Sequence, residues 1–150
     1  MKKLLLFAAL AGLAACAFED APGGKKTYEA LAAPTPEGVA TKITPSSDGQ
    51  NVTVKVGTKI AVELVGTPTA GYLWRVTEKP DFLEVAGEYG GPTSSAQLEP
   101  GFAGGNHWEA FLFNVTGTGE GELRFQQGRA WEEGPDADGA AFSVYLFSEK

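Results

Sequence analysis

From residue 52 onward the chain alternates apolar and polar side chains over short stretches and then breaks on glycine, a pattern that suits extended strands with one buried face. Val52, Val54 and Val56 alternate with Thr53 and Lys55, and Ile60, Val62 and Leu64 flank an outward Glu63. Tyr72, Trp74 and Val76 alternate with Leu73, Arg75 and Thr77, and Phe82, Leu83 and Val85 make a shorter stretch. A strand is expected over 107–115. Leu123 and Phe125 form another, with Glu122, Arg124 and Gln126 outward, and Phe142, Val144 and Leu146 close the chain opposite Ser143, Tyr145 and Phe147. No stretch carries helical spacing. About seven short strands rich in turn residues predict an all-β, antiparallel β-sandwich over residues 39–150, with a closed barrel as the alternative. Residues 66–71, 87–105 and 128–140 lack the alternation and are expected as loops.

The first 38 residues read differently. Lys2 and Lys3 precede an uncharged apolar run, 4–15, that ends at Cys16, the only cysteine. The run is too short for a stable membrane-spanning helix, so residues 1–15 are expected to be a cleaved signal peptide. Leu13, Ala14 and Ala15 before Cys16 resemble a bacterial lipobox, which implies acylation of Cys16 and a lipid-anchored protein of the cell envelope. Ala17, rather than aspartate, at the next position implies the outer membrane, periplasmic side, in a diderm cell. Residues 17–38, rich in alanine, proline and glycine, are expected to be a flexible tether.

Little in the composition suits catalysis. His107 is the only histidine and follows a Gly-Gly turn, and the only cysteine lies in the export segment, so neither a Ser/His/Asp nor a Cys/His arrangement can be assembled. Zinc sites need more Cys and His than this chain has. Glu132, Glu133, Asp136 and Asp138 lack the ligand spacing of a calcium loop and read as a solvated acidic stretch. Without Lys2 and Lys3, ten basic residues face 19 acidic ones, a balance that disfavours nucleic acid. No cofactor is expected, and the protein is expected to be a monomer and not an enzyme. Function should then reside in the loops, where binding residues concentrate on a rigid β-scaffold.

Three loop motifs, in order, carry a resemblance. Thr67, Pro68, Thr69, Ala70, Gly71, Tyr72, Leu73, Trp74 is similar to the Asn-Pro-Thr-Thr-Gly-Tyr-x-Trp motif of the chagasin family, inhibitors of papain-like cysteine proteases, with Thr67 and Ala70 as the departures. Phe102, Ala103, Gly104, Gly105 resembles the family's Gly-x-Gly-Gly, with its first glycine replaced. Arg129, Ala130, Trp131 resembles Arg-Pro-Trp, with alanine for proline. The resemblance implies an immunoglobulin-like sandwich presenting three loops as one wedge. It implies that 67–71 cover the protease's catalytic cysteine and histidine, with Tyr72 beside them and Trp74 supporting the loop from the core. Phe102, Ala103, Gly104 and Gly105 would lie along the non-primed side, and Arg129, Ala130 and Trp131 would cover the primed side. A competing expectation is an envelope-anchored module that binds glycan or a surface protein, for which exposed loop aromatics serve equally well.

Overall fold

The computed structural model describes residues 25–132 and 138–150. The signal segment, Cys16 and the first part of the expected tether lie outside them, as do Glu133, Asp136 and the side chain of Asp138. Eight strands form: β1 (Thr41–Ile43), β2 (Asn51–Lys55), β3 (Lys59–Gly66), β4 (Leu73–Glu78), β5 (Leu83–Pro92), β6 (His107–Val115), β7 (Gly119–Gly128) and β8 (Asp138–Glu149). They pair into two four-stranded sheets, ordered β1-β3-β6-β5 and β2-β8-β7-β4. Most pairings are antiparallel as expected, but β1 runs parallel to β3 and β2 parallel to β8, so both sheets are mixed.

The alternation of the sequence becomes the sandwich interior. Ile60, Val62, Leu64, Phe111, Phe113 and Val115 of one sheet meet Leu123, Phe125, Phe142, Val144 and Leu146 of the other, all buried. Phe125 is the centre of this layer, its ring centroid 5.0 Å from Phe111, 6.2 Å from Phe142 and 6.4 Å from Phe113 in tilted or edge-on arrangements, the geometry aromatic quadrupoles favour.

The outer face of the β3–β6 sheet departs from expectation. Ala61, Ala110 and Leu112 are buried there and pack with Val39 and Ala86 as a second, smaller apolar cluster. Part of the cover is the segment that reads as tether. Leu31 N donates to Thr93 O at 2.9 Å, Trp108 Nε1 donates to Leu31 O at 2.7 Å, and the Thr35 hydroxyl donates to Glu63. Glu63, expected on the outward face, is therefore buried at 7% exposure, held by Thr35 and by Lys42 Nζ at 3.1 Å. A buried carboxylate persists when it is paired and hydrogen-bonded in this way. The domain boundary expected at residue 39 thus falls inside packed chain, and residues 29–35 are bonded to the sheet rather than hanging free of it.

The expected loop 87–105 is likewise half strand. β5 continues through Gly87, Gly90 and Gly91 to Pro92, in register with Trp108 and His107. Gly87, at φ 150°, sits where the pairing with β6 shifts by a bulge. A Cβ on Gly91 would approach Pro34 to 3.2 Å, so the glycine makes room for the N-terminal segment.

Candidate functional site

Strand direction alone brings three connections to one end of the sandwich. Gly66 at the end of β3 and Pro92 at the end of β5 both oppose His107 at the start of β6. In the other sheet Gly128, at the end of β7, opposes both Leu73 and the start of β8. Loop 67–72 crosses from one sheet to the other, loop 93–106 closes the β5–β6 hairpin, and the third, after Gly128, closes the β7–β8 hairpin. The crossing loop is therefore central and the two hairpin loops flank it.

The central loop is closed by its own backbone. Thr67 N donates to Tyr72 O at 2.9 Å, and Thr67 O accepts from Ala70 N at 3.0 Å and Tyr72 N at 3.2 Å. Pro68–Ala70 form a single 3₁₀ turn that Gly71 ends in the left-handed conformation, φ 81°, with its N–H on Pro68 O. Proline pre-sets the backbone angle at the start of the turn, and glycine is the residue that accepts positive φ without steric cost. Thr69 and Ala70 are left exposed at the tip, while Gly71 is buried.

Side chains then tie the neighbours to this loop. Arg129 Nε donates to Ala70 O at 2.8 Å, its guanidinium stands 4.4 Å from the Tyr72 ring centroid, and Nη1 donates to Glu132 at 2.6 Å. That hydrogen bond to Glu132 is the main reason the guanidinium's pKa is raised. The Trp131 indole lies over the Cα of Gly71, so close that a Cβ there would overlap it, yet the residue is 68% exposed. On the other flank the Thr67 hydroxyl donates to Asn106 Oδ1 at 3.1 Å.

Loop 93–106 is stapled at its base. Gln97 Oε1 accepts from Thr93 N at 2.7 Å and Ser94 N at 3.1 Å, and Gln97 Nε2 donates to Asn106 O at 2.9 Å. Ser94 and Gln97 form a capping box around the 3₁₀ turn Ser95–Leu98. Gly104 and Gly105 follow with φ of 86° and 95°, and a Cβ on Gly105 would press to 2.8 Å from Gln97 Nε2, so a side chain there would disturb the staple. Leu98 (68%) and Phe102 (46%) are exposed together with Ala103.

Trp74 supports the central loop from below, packed against the main core with Nε1 donating to Val65 O at 2.9 Å. The sequence gives no hint of Glu109. Its Oε2 accepts from Trp74 N at 2.9 Å, and its carboxylate is pressed against the Cα of Gly66, at the foot of the loop. Oε1 is buried with no hydrogen-bond partner among the described residues. Burial pushes this carboxyl above its usual range, Glu88 nearby adds to the shift, and the Trp74 N–H opposes it. Gln97 does carry a sequence signal, since Ser-x-x-Gln before a turn is a legible capping pattern. His107 is half-buried at the start of β6, and among the described residues no group of His, Cys, Asp and Glu is placed to hold a metal.

The structure thus gathers residues 67–72, 102–105 and 129–131 at one edge, with Thr69, Ala70, Phe102, Ala103 and Trp131 exposed on it. What it presents there is a ridge of three loops tied to one another by Arg129 on Ala70, Trp131 against Gly71 and Thr67 on Asn106.

Solved structures share this architecture. The cysteine protease inhibitor EhICP2 from Entamoeba histolytica is similar with a TM-score of 0.63 at 16% identity, over 77% of this chain and 100% of that one. Amebosin, in its solution structure, is similar with a TM-score of 0.51 at 23% identity, over 73% of this chain and 97% of that one. These are likenesses of fold. No curated protein matches the chain in sequence. The family model described as "Chagasin family peptidase inhibitor I42" matches residues 53–146, a span that includes all three loops. The chain belongs to the chagasin family of peptidase inhibitors, and it is an inhibitor rather than an enzyme.

Proposed function

We propose that the protein inhibits papain-like cysteine proteases by lodging its three-loop edge in the active-site cleft, with 67–72 over the catalytic residues, 93–106 on the non-primed side and the Arg129–Trp131 loop on the primed side. The observation that carries this reading is the bonding between loops: Arg129 to Ala70, Trp131 against Gly71, and Thr67 to Asn106. A ridge already ordered before binding avoids much of the side-chain and loop ordering that association otherwise costs. The turn geometry also supports resistance of the loop to cleavage. Proteases bind substrate as extended chain, whereas the peptide groups of 67–71 are folded into a turn by their own hydrogen bonds and offer no carbonyl aligned for attack. Exposed Trp131 and Phe102 supply apolar anchors of the type that dominates interface energetics, and an edge of three loops suits a standard interface of about 800 Å² per partner.

The test is titration of papain and a cathepsin-like enzyme with the protein, following hydrolysis of a peptide substrate. Stoichiometric, reversible loss of activity with the inhibitor recovered uncut is the expected result. Absence of inhibition of several such enzymes at micromolar concentration would refute the reading.

The location follows from the export segment. Cys16, at the end of an uncharged apolar run, is acylated and holds the inhibitor, as a monomer, to the envelope, at the periplasmic side of the outer membrane in a diderm cell. Cys16→Ser should move the protein from the membrane fraction to the soluble fraction, and an unchanged distribution would exclude the anchor.

A further inference from the structure

The longest of the three loops owes part of its shape to a segment far from it in sequence. Residues 29–31 run antiparallel beside 93–95 like an added strand. Glu29 N donates to Ser95 Oγ at 2.9 Å, Ser95 N donates to Glu29 O at 2.9 Å, Ala30 opposes Ser94, and Leu31 N donates to Thr93 O at 2.9 Å. Further out, Lys26 Nζ lies 3.0 Å from Glu99, at the end of the 3₁₀ turn. These partners are the residues that start loop 93–106 and surround the Gln97 staple.

The same segment is fixed to the sheet independently of the loop. Trp108 Nε1 holds Leu31 O at 2.7 Å, Pro34 lies against the bare Cα of Gly91, and the Thr35 hydroxyl is bonded to buried Glu63. One end of the segment is thus anchored on β3, β5 and β6 and the other is bonded to the loop, which is the arrangement of a brace. Without it, Ser95 N would lose its bond to Glu29 O and Thr93 O its bond to Leu31, leaving the turn held, among the described residues, chiefly through Gln97 and the bonds of Thr93 and Asn106 at the hairpin stem.

We propose that residues 29–35 are a working part of the inhibitor, a positioning element that keeps loop 93–106 in its protease-binding shape. The proposal rests on the reading that this loop contacts the protease. The two are separable, because the brace acts on one flank of the ridge and leaves the central and third loops untouched.

The experiment uses the full chain and three substitutions: Leu31→Pro, which deletes the N–H that bonds Thr93 O; Ser95→Ala, which deletes the acceptor for Glu29 N; and Trp108→Phe, which keeps an aromatic ring but loses the indole donor to Leu31 O. Each is measured for inhibition of papain, for thermal midpoint, and for amide hydrogen exchange at Gln97, Glu99 and Phe102, whose N–H groups are bonded inside the loop. Loss of one such bond is expected to raise the inhibition constant about three- to tenfold. Exchange at the three loop amides should accelerate while the amides of β7 and β8 stay protected. Unchanged exchange in the loop would show that the segment does not brace it. Faster exchange with unchanged inhibition would show that the brace has no bearing on binding. Failure of the unsubstituted protein to inhibit would refute the protease reading itself, with the exchange data still reporting on the brace. If Leu31→Pro does not fold, the two side-chain substitutions, which leave the backbone intact, decide the matter.

Discussion

Gly71 couples the central and third loops, and replacing it with alanine separates their contributions. The added methyl meets two obstacles. At φ 81° an L-residue carries a penalty of about 1 kcal/mol for the left-handed conformation, and the Cβ would overlap the Trp131 ring, approaching Cζ2 to 2.7 Å and Cζ3 to 2.9 Å. Because Trp131 is 68% exposed it can swing away at small cost to the fold. Gly71→Ala should thus lower stability by only about 1–2 kcal/mol, a fall of roughly 5 °C in the thermal midpoint. Affinity should suffer by a comparable amount. If the seated indole is an interface anchor, Trp131→Ala weakens inhibition by about 2 kcal/mol, close to thirtyfold, and Gly71→Ala should reproduce most of that loss by unseating the same ring. The double variant then discriminates. Once the indole is gone, alanine at 71 retains only its backbone penalty, so the two effects should fall short of additivity by about 1 kcal/mol or more. Inhibition constants for papain across the four proteins, each checked for a cooperative thermal transition, give the coupling directly. Full additivity, or a Gly71→Ala protein that inhibits normally while Trp131→Ala does not, would mean that the ring works from a position other than its seat on Gly71.

Other substitutions probe separate parts of the argument. Arg129→Lys keeps the charge but loses the planar fork that reaches Ala70 O and Glu132 at once; inhibition should weaken about tenfold with the thermal midpoint nearly unchanged. Glu109 has a pKa raised by burial, so the native state binds its proton more tightly than the unfolded chain. Its linkage therefore adds stability as pH falls from neutral through the raised value, complete below the ordinary glutamate value of 4.5. Denaturant titrations should show wild type gaining on Glu109→Gln as pH falls, and a difference that stays flat with pH would refute the assignment. Phe125→Ala removes the ring on which three other phenylalanines converge and should cost about 3–5 kcal/mol, read as a shifted denaturation midpoint.

Much of the molecule is legible in the sequence, and its illegible parts share a physical cause. Alternation marks β2, β3, β4, β6, β7 and β8 because the side chains themselves carry the signal, and the loop motifs stand out because Trp131, Arg129 and Pro68 are conspicuous there. The second half of β5, from Gly87 to Pro92, is hidden because it is built with glycine where a bulge twists it and where Pro34 lies against it, so little alternation remains to report burial. The N-terminal brace is hidden for the complementary reason. Several of its bonds to the second loop are between main chains, from Leu31 to Thr93 and from Ser95 to Glu29, and main-chain bonds leave no trace in composition. Glu63 and Glu109 look like ordinary outward residues of amphipathic strands. Both are drawn inward by segments remote in sequence, the first by Thr35 and Lys42, the second by the Trp74 amide.

The same distinction between main-chain and side-chain bonding accounts for the motif departures in the central loop. Thr67 and Ala70 replace residues that the family motif has as asparagine and threonine, and a loop held by those side chains would have lost its shape. Here the closing bonds run between Thr67 and Tyr72, from Ala70 N to Thr67 O, and from Gly71 N to Pro68 O, all on the backbone, and the bond from Arg129 goes to a carbonyl that any residue at position 70 supplies. What Pro68 and Gly71 fix is backbone conformation, and both are retained. The turn and its attachment to the third loop therefore do not depend on the two substituted side chains, whereas the polar groups offered at the tip do. Variation at 70 should accordingly act on which protease is bound and how tightly, through contacts made at the tip, and leave the wedge intact, whereas variation at 67 also touches the hydroxyl bond to Asn106 that ties in the second loop.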